Sequence, residues 1–115
     1  MPHVIIEYTP NIMTAAEVPQ ILHIAHNVMI ESGLFSTKDI KTRSYIAQDF
    51  LVGENGNKGN FMHVTIYLLE GRTLQQKQNL GKAMKDTLLL VLKNVEQFSV
   101  DIRELVKDTY QKIAL

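Results

Sequence analysis

The residues best suited to chemistry in this chain are one proline, a few cations and four histidines. Pro2 stands second in "MPHVIIEY". Once Met1 is removed, its nitrogen becomes a free secondary amine with a lone pair to give. While Met1 is attached, the same nitrogen is an amide and cannot act as a base. An α-amino group titrates at roughly 7.7–8, nearer neutrality than a lysine. That suits it to take a proton from a weakly acidic carbon at neutral pH. A proline at this position is ordinary in most proteins, so by itself it does not mark a site.

The other candidates carry equally plain alternatives. Lys41 and Arg43 stand two apart in "DIKTR" and share a face if the segment is a strand, where a solvated edge explains them as well as a pocket does. Arg72, in "EGRT", precedes a helix and taken alone reads as a solvated loop residue. His3 and His63 occupy matching places in two similar strands; with no carboxylate motif beside them, hydrogen bonding within the sheet is the simpler expectation. His23 and His26 have a spacing that permits a shared metal, but no third ligand accompanies them. Metal is therefore not expected, and the two are placed at the surface or the edge of a helical stripe. There is no phosphate loop, no Ser-His-Asp ordering and no nucleotide fingerprint. The chain has no cysteine, which excludes a thiolate nucleophile, a disulfide and a cysteine-bearing metal site.

The elements that must position these residues follow from periodicity. From His3 to Tyr8 the side chains alternate, Val4, Ile6 and Tyr8 facing one way, which makes a strand. "TPNIMT" breaks it with turn chemistry. "AAEVPQILHIAHNVMIESG" is a helix, with Val18, Ile21, Leu22, Ala25, Val28 and Met29 on one stripe. Thr14 and Glu17 have capping-box spacing, yet Pro19 is tolerated only in a first turn. The regular helix is therefore expected to begin nearer Val18 than Ala15, and to end at a left-handed Gly33.

A weaker strand is expected from Ile40 to Val52, then a tight turn at Asn55-Gly56. "FMHVTIYLLEG" reads as a further strand with Val64, Ile66 and Leu68 on one face. A second helix is expected from about Leu74 to Val95. Its stripe is Lys77, Leu80, Met84, Leu88, Val91 and Val95, widened by Leu89, Leu90 and Leu92. "FSVDIRELV" reads as a final short strand, and "KDTYQKIAL" as a tail without a clear period. The order predicts an α+β fold: two β-α-β units in one sheet, with both helices on one face.

The two units echo each other. "PHVIIEY" lies over "MHVTIYL" at an offset of sixty, and "DIKTR" lies over "SVDIR" with Arg43 on Arg103. Three identities in a strand are a modest signal of duplication. At that offset Pro2 meets Met62, an interior residue, so only one half could use a chain-end amine.

At 115 residues the chain is expected to be one domain over 1–115, with halves of roughly 2–53 and 60–106. Twelve basic and twelve acidic residues cancel, which argues against bulk binding to nucleic acid or anionic membrane. No signal-like start or membrane-length apolar run is evident, and a cytoplasmic location is expected.

Taken in order, "PHVIIEYTPNI", "GLFSTKDIKTR" and "FMHVTIYLLEGRTLQQKQNLG" resemble the 5-carboxymethyl-2-hydroxymuconate isomerases of the tautomerase superfamily. The likeness runs from Pro2 to about Arg103. It implies two β-α-β units per chain, three chains in a ring, active sites near subunit contacts and no cofactor. It also implies a reaction: moving a proton between carbons of an unsaturated hydroxy- or keto-carboxylic acid in aromatic-compound catabolism.

By the same resemblance Pro2 is the general base and Arg72 the cation that grips a substrate carboxylate, a task its planar fork suits. Lys41 falls where the family has an arginine, and Arg43 matches an adjacent one; both are supporting substrate-binding cations. Lysine for arginine keeps the charge and loses the fork. Two other readings remain open. One is a trimeric scaffold that binds a small carboxylate or a protein without catalysis. The other is a sibling enzyme using the same proline on another substrate.

Overall fold

The computed structural model describes residues 1–115. Strands β1 (His3–Tyr8), β2 (Lys41–Ile46), β3 (Phe61–Leu69) and β4 (Gln97–Leu105) form one sheet in the order β2-β1-β3-β4. Helix α1 (Val18–Glu31) joins β1 to β2, and α2 (Leu74–Leu89) joins β3 to β4. Each helix-linked pair is parallel, whereas the central β1 and β3 run antiparallel. The fold is the expected α+β arrangement, with Val4, Ile6, Met62, Val64, Ile66 and Leu68 fully buried beneath Ile21, Ala25, Met29, Leu80, Met84 and Leu88 of the helices. No helix is long and apolar enough to cross a membrane.

The central pairing turns the sequence echo into geometry. Val4 pairs with Ile66 and Ile6 with Val64, so the two matching strands cross about Ile5 and Thr65. The outer strands keep the echo less well. Arg43 lies beside Ile5, but Asp101, not Arg103, lies beside Thr65. A two-residue difference in register separates the halves there, which preserves the face of each side chain and changes its neighbours.

Several boundaries differ from expectation. α1 does begin at Val18 with Pro19 in its first turn, and Gly33 follows it at φ +70°. The Thr14–Glu17 pair forms, with Glu17 Oε1 accepting from the Thr14 amide at 2.9 Å and hydroxyl at 3.0 Å, but it closes a separate turn before the helix. The strand expected to reach Val52 stops at Ile46, because beyond it no partner continues the ladder. Val52 instead bridges Gly56 across a tight turn, so the Asn55-Gly56 pair does turn the chain without joining neighbouring strands.

α2 ends at Leu89, six residues short of Val95. Val91, Leu92 and Val95 still pack on the core from an irregular segment, while Leu89 and Leu90 point to solvent. Apolar content continues past the last helical turn because Val91, Leu92 and Val95 pack on the core without being helical. Lys77 lies at the border of the stripe, its ammonium 2.8 Å from Glu104 on β4.

Candidate active site

Strand direction decides what meets what. The start of β1, the start of β2 and the ends of β3 and β4 all lie at one end of the sheet. Pro2, Lys41, the turn carrying Arg72 and the chain beyond β4 therefore converge, although the sequence spreads them widely. The Lys41 amide donates to the Pro2 carbonyl at 3.2 Å and the Glu70 amide to the Leu105 carbonyl at 3.2 Å, continuing both parallel ladders to this end. Pro2 is fully buried, and Met1 lies buried in front of it.

Lys41 and Arg43 share the face of the sheet opposite the helices, together with His3. Arg43 Nη1 donates to His3 Nδ1 at 3.1 Å, and His3 Nε2 lies 3.2 Å from the Tyr110 hydroxyl. A guanidinium has no acceptor, so Nδ1 must accept and the ring proton sits on Nε2, donating to Tyr110. Burial, and then the Arg43 charge, hold His3 below its ordinary pKa, in keeping with a neutral ring. Lys41 Nζ donates to the main-chain oxygen of Asp39 at 2.6 Å.

Arg72 belongs to a neighbouring group. Gly71 takes φ +120°, a conformation suited to glycine, and turns the chain off β3. The Arg72 guanidinium then lies 4.7 Å from the Phe35 ring centroid, while Nη2 donates to the Leu34 carbonyl at 2.9 Å. Nη1 makes a longer contact of 3.4 Å to the Leu69 carbonyl. The "GLF" segment after α1 and the "GR" segment before α2 are thus fastened together. A guanidinium has five N–H donors, so these contacts leave several free for a carboxylate. No side-chain hydrogen bond links this group to the Lys41–Arg43–His3 group.

The amine at the chain start shows what this end of the sheet does to a base. Burial is the largest influence, followed by a hydrogen bond with Lys41 and the charges of Lys41 and Lys112, against a smaller opposing pull from Asp39. Together they lower the Met1 amine to about 6. Burial first, and the neighbouring lysine charges after it, thus favour the neutral form of the amine at this position.

Sequence reasoning missed Asp39, Tyr110 and Lys112. Lys112 Nζ donates to Asp39 Oδ1 at 2.8 Å, and that hydrogen bond holds the Asp39 carboxyl below its usual range. No short-range pattern could have found a contact between residues so distant in the chain. The remaining histidines fit local roles: His63 Nδ1 contacts the Ser99 hydroxyl and His26 Nδ1 lies 2.8 Å from the Thr42 hydroxyl. A groove of about 410 Å³ lies elsewhere, between α1 and α2, lined by Val28, Glu31, Leu34, Gln76, Asn79 and Leu80 among others. It contains none of the cations described above, so its size does not make it the chemical centre.

Two parallel β-α-β units joined by an antiparallel central pair make a tautomerase-like fold. The chain matches the 5-carboxymethyl-2-hydroxymuconate isomerase family model over residues 2–113 and belongs to that family of isomerases. It is 24% identical over 84 residues to the 5-carboxymethyl-2-hydroxymuconate Delta-isomerase of Escherichia coli, covering 73% of this chain and 67% of that protein. Among solved structures, a 5-carboxymethyl-2-hydroxymuconate isomerase from Deinococcus radiodurans R1 superposes with a TM-score of 0.84 at 21% identity, over 97% of this chain and 88% of that one. A fused 4-OT wild type symmetric trimer superposes with a TM-score of 0.78 at 19% identity, over 97% and 91% of the two chains.

Proposed function

We propose that this protein moves a proton between carbons of an unsaturated hydroxy- or keto-carboxylic acid, with Pro2 as general base once Met1 is removed. The observation that carries this reading is the environment at the start of β1, where burial and lysine charge push an amine down to about 6. The amine of Pro2 would stand one residue along in the same surroundings. A free secondary amine starts higher than a primary one, so the surroundings have more to do for proline. The ring also fixes the direction of the nitrogen.

The reaction balances within one substrate molecule. The proline nitrogen takes a proton from a carbon beside a carbonyl, and negative charge grows on the carbonyl oxygen. Lys41, Arg43 and Arg72 are the cations available to that charge and to the substrate's carboxylates. The ammonium so formed returns the proton to a different carbon, which moves the double bond and regenerates the amine. Neither oxidant nor cofactor is required.

Self-association into a trimer is part of the proposal. The sheet face opposite the helices carries Tyr45, exposed on the edge strand β2, and the fused 4-OT neighbour is a symmetric trimer. The pathway implied by the family name, breakdown of aromatic compounds, is proposed on the same footing.

The test is Pro2→Ala. Folding and assembly should persist while isomerisation of enol acids falls by roughly 10²–10⁴-fold, the usual worth of a positioned base. An unchanged rate would sink the role. A second reading has its own support, since Met1 is buried and its amine is hydrogen-bonded with Lys41. A chain that keeps Met1 would bind carboxylates without moving protons. The intact mass of untagged protein from its own host separates the two readings. Assays with a set of unsaturated acids then distinguish this isomerase from a relative that uses the same proline on another substrate.

A further inference from the structure

The last residues of the chain return to the end of the sheet where Pro2 lies, and they bring a cation with them. After β4 a turn closes as the amides of Thr109 and Tyr110 donate to the Val106 carbonyl at 3.1 and 3.0 Å. Tyr110 then meets His3 edge-on, its ring centroid 6.4 Å from the imidazole. Two residues further on, Lys112 reaches the Asp39 carboxylate at 2.8 Å.

Asp39 already holds another ammonium, that of Lys41, through its main-chain oxygen. One residue therefore gathers two lysines, one with its carbonyl and one with its carboxylate. Only the carboxylate is charged, so one positive charge is left without a counter-ion. Arg43 adds a second, because its partner here is a neutral imidazole. This excess sits in a chain of formal net charge zero, which makes it a local property of this end of the sheet. Each ammonium has three donors and spends one on Asp39; removal of Met1 releases those that its amine engages. The Lys112 side chain is 31% exposed, open to an arriving anion rather than sealed in the fold.

We propose that Lys112 is a substrate-binding residue: with Lys41 it forms a pair of ammonium groups, gathered by Asp39, that receives a carboxylate remote from the reacting carbon. The assignment rests on the reading of the Pro2 end as an acid-binding site, and it makes the C-terminal tail part of that site. Asp39 is a positioning residue, acting through the two lysines. The consequence is selectivity for acids with carboxylates at both ends over acids with one. A purely structural ion pair behaves otherwise. Exposed pairs of this kind contribute little to stability, and their loss does not discriminate between ligands.

Muconate and sorbate provide a matched pair of probes, since both are six-carbon dienoic acids and differ in one terminal carboxylate. Calorimetric titration of the full-length chain lacking Met1 should show tighter binding of muconate. Lys112→Gln should weaken muconate binding about tenfold, the scale of one charge-assisted hydrogen bond, and leave sorbate unchanged. Lys112→Arg should keep the preference. So should Lys82→Gln, where the ammonium pairs with Asp86 on the exposed side of α2. Equal binding of both acids by the parent protein overturns the assignment. It is likewise overturned if Lys112→Gln retains the full preference or weakens both acids alike.

Turnover of enol acids, measured alongside, keeps the two claims apart. A parent protein that prefers muconate but isomerises nothing loses the catalytic reading and keeps Lys112 as a binding residue. Turnover without that preference does the reverse.

Discussion

His3 is held by two partners that require opposite things of its ring, an acceptor toward Arg43 and a donor toward Tyr110. Only the neutral ring meets both requirements. Because its pKa is lowered in the folded chain, the unfolded chain takes up a proton below the ordinary histidine value while the folded one does not. His3 therefore contributes stability above about pH 6.5 that is lost progressively as pH falls toward its folded value. Urea denaturation near pH 7.5 and near pH 5.5 should show a drop in stability that is smaller in His3→Gln, since glutamine keeps a donor and an acceptor but does not titrate there. An identical drop in both proteins would mean that His3 is not the group responsible. Arg72 illustrates a different point. Its stacking on Phe35 and its bond to the Leu34 carbonyl aim the guanidinium before any ligand arrives, so less entropy is lost when a carboxylate binds.

The two helices start by different means. α1 has no side-chain cap on its first amides and relies on Pro19 in its first turn, whose missing N–H needs no partner. α2 has a full capping box, with the Thr73 hydroxyl accepting from the Gln76 amide at 3.1 Å and the Gln76 side chain accepting from the Thr73 amide at 2.9 Å. Thr73 directly follows Arg72, so the cap also fixes where the Arg72 turn ends and the helix begins. Thr73→Ala should cost about 1 kcal/mol of stability, read from the midpoint of chemical unfolding. A cost well below this would show that the Arg72–Phe35 contact alone holds the helix start. The period of two in β1 and β3 and the helical stripes were legible in the sequence because one face of each element is buried. The ends of β2 and α2 were not, because they depend on where neighbouring strands stop rather than on local residues.

Across the whole molecule, the helices cover one face of the sheet, while the other is covered only in part, by the tail that brings Tyr110 onto His3. That face carries the charged group around His3 together with exposed Tyr45 at 56%. If chains associate as proposed, the sedimentation mass should be three times 13.1 kDa. Tyr45→Asp should weaken association while leaving the fold intact, because its side chain is not part of the buried core. A monomeric parent protein would remove the trimer from the proposed function. An assembled Tyr45→Asp protein would place the contact elsewhere on the surface.

The sequence alone determined the element types, the duplicated β-α-β order and the buried faces, because these depend on residues a few positions apart. It also marked Pro2, Lys41, Arg43 and Arg72 through resemblance, without showing how they meet. Only the tertiary structure decided that β1 and β3 pair antiparallel, and that pairing brings Arg72 to the same end of the sheet as Pro2. It also revealed Asp39, Tyr110 and Lys112, whose contacts span up to 107 residues of chain between His3 and Tyr110. Periodicity carries no information over such distances. They are set by how strands pair and where a tail comes to rest, which is the outcome of packing the whole chain at once.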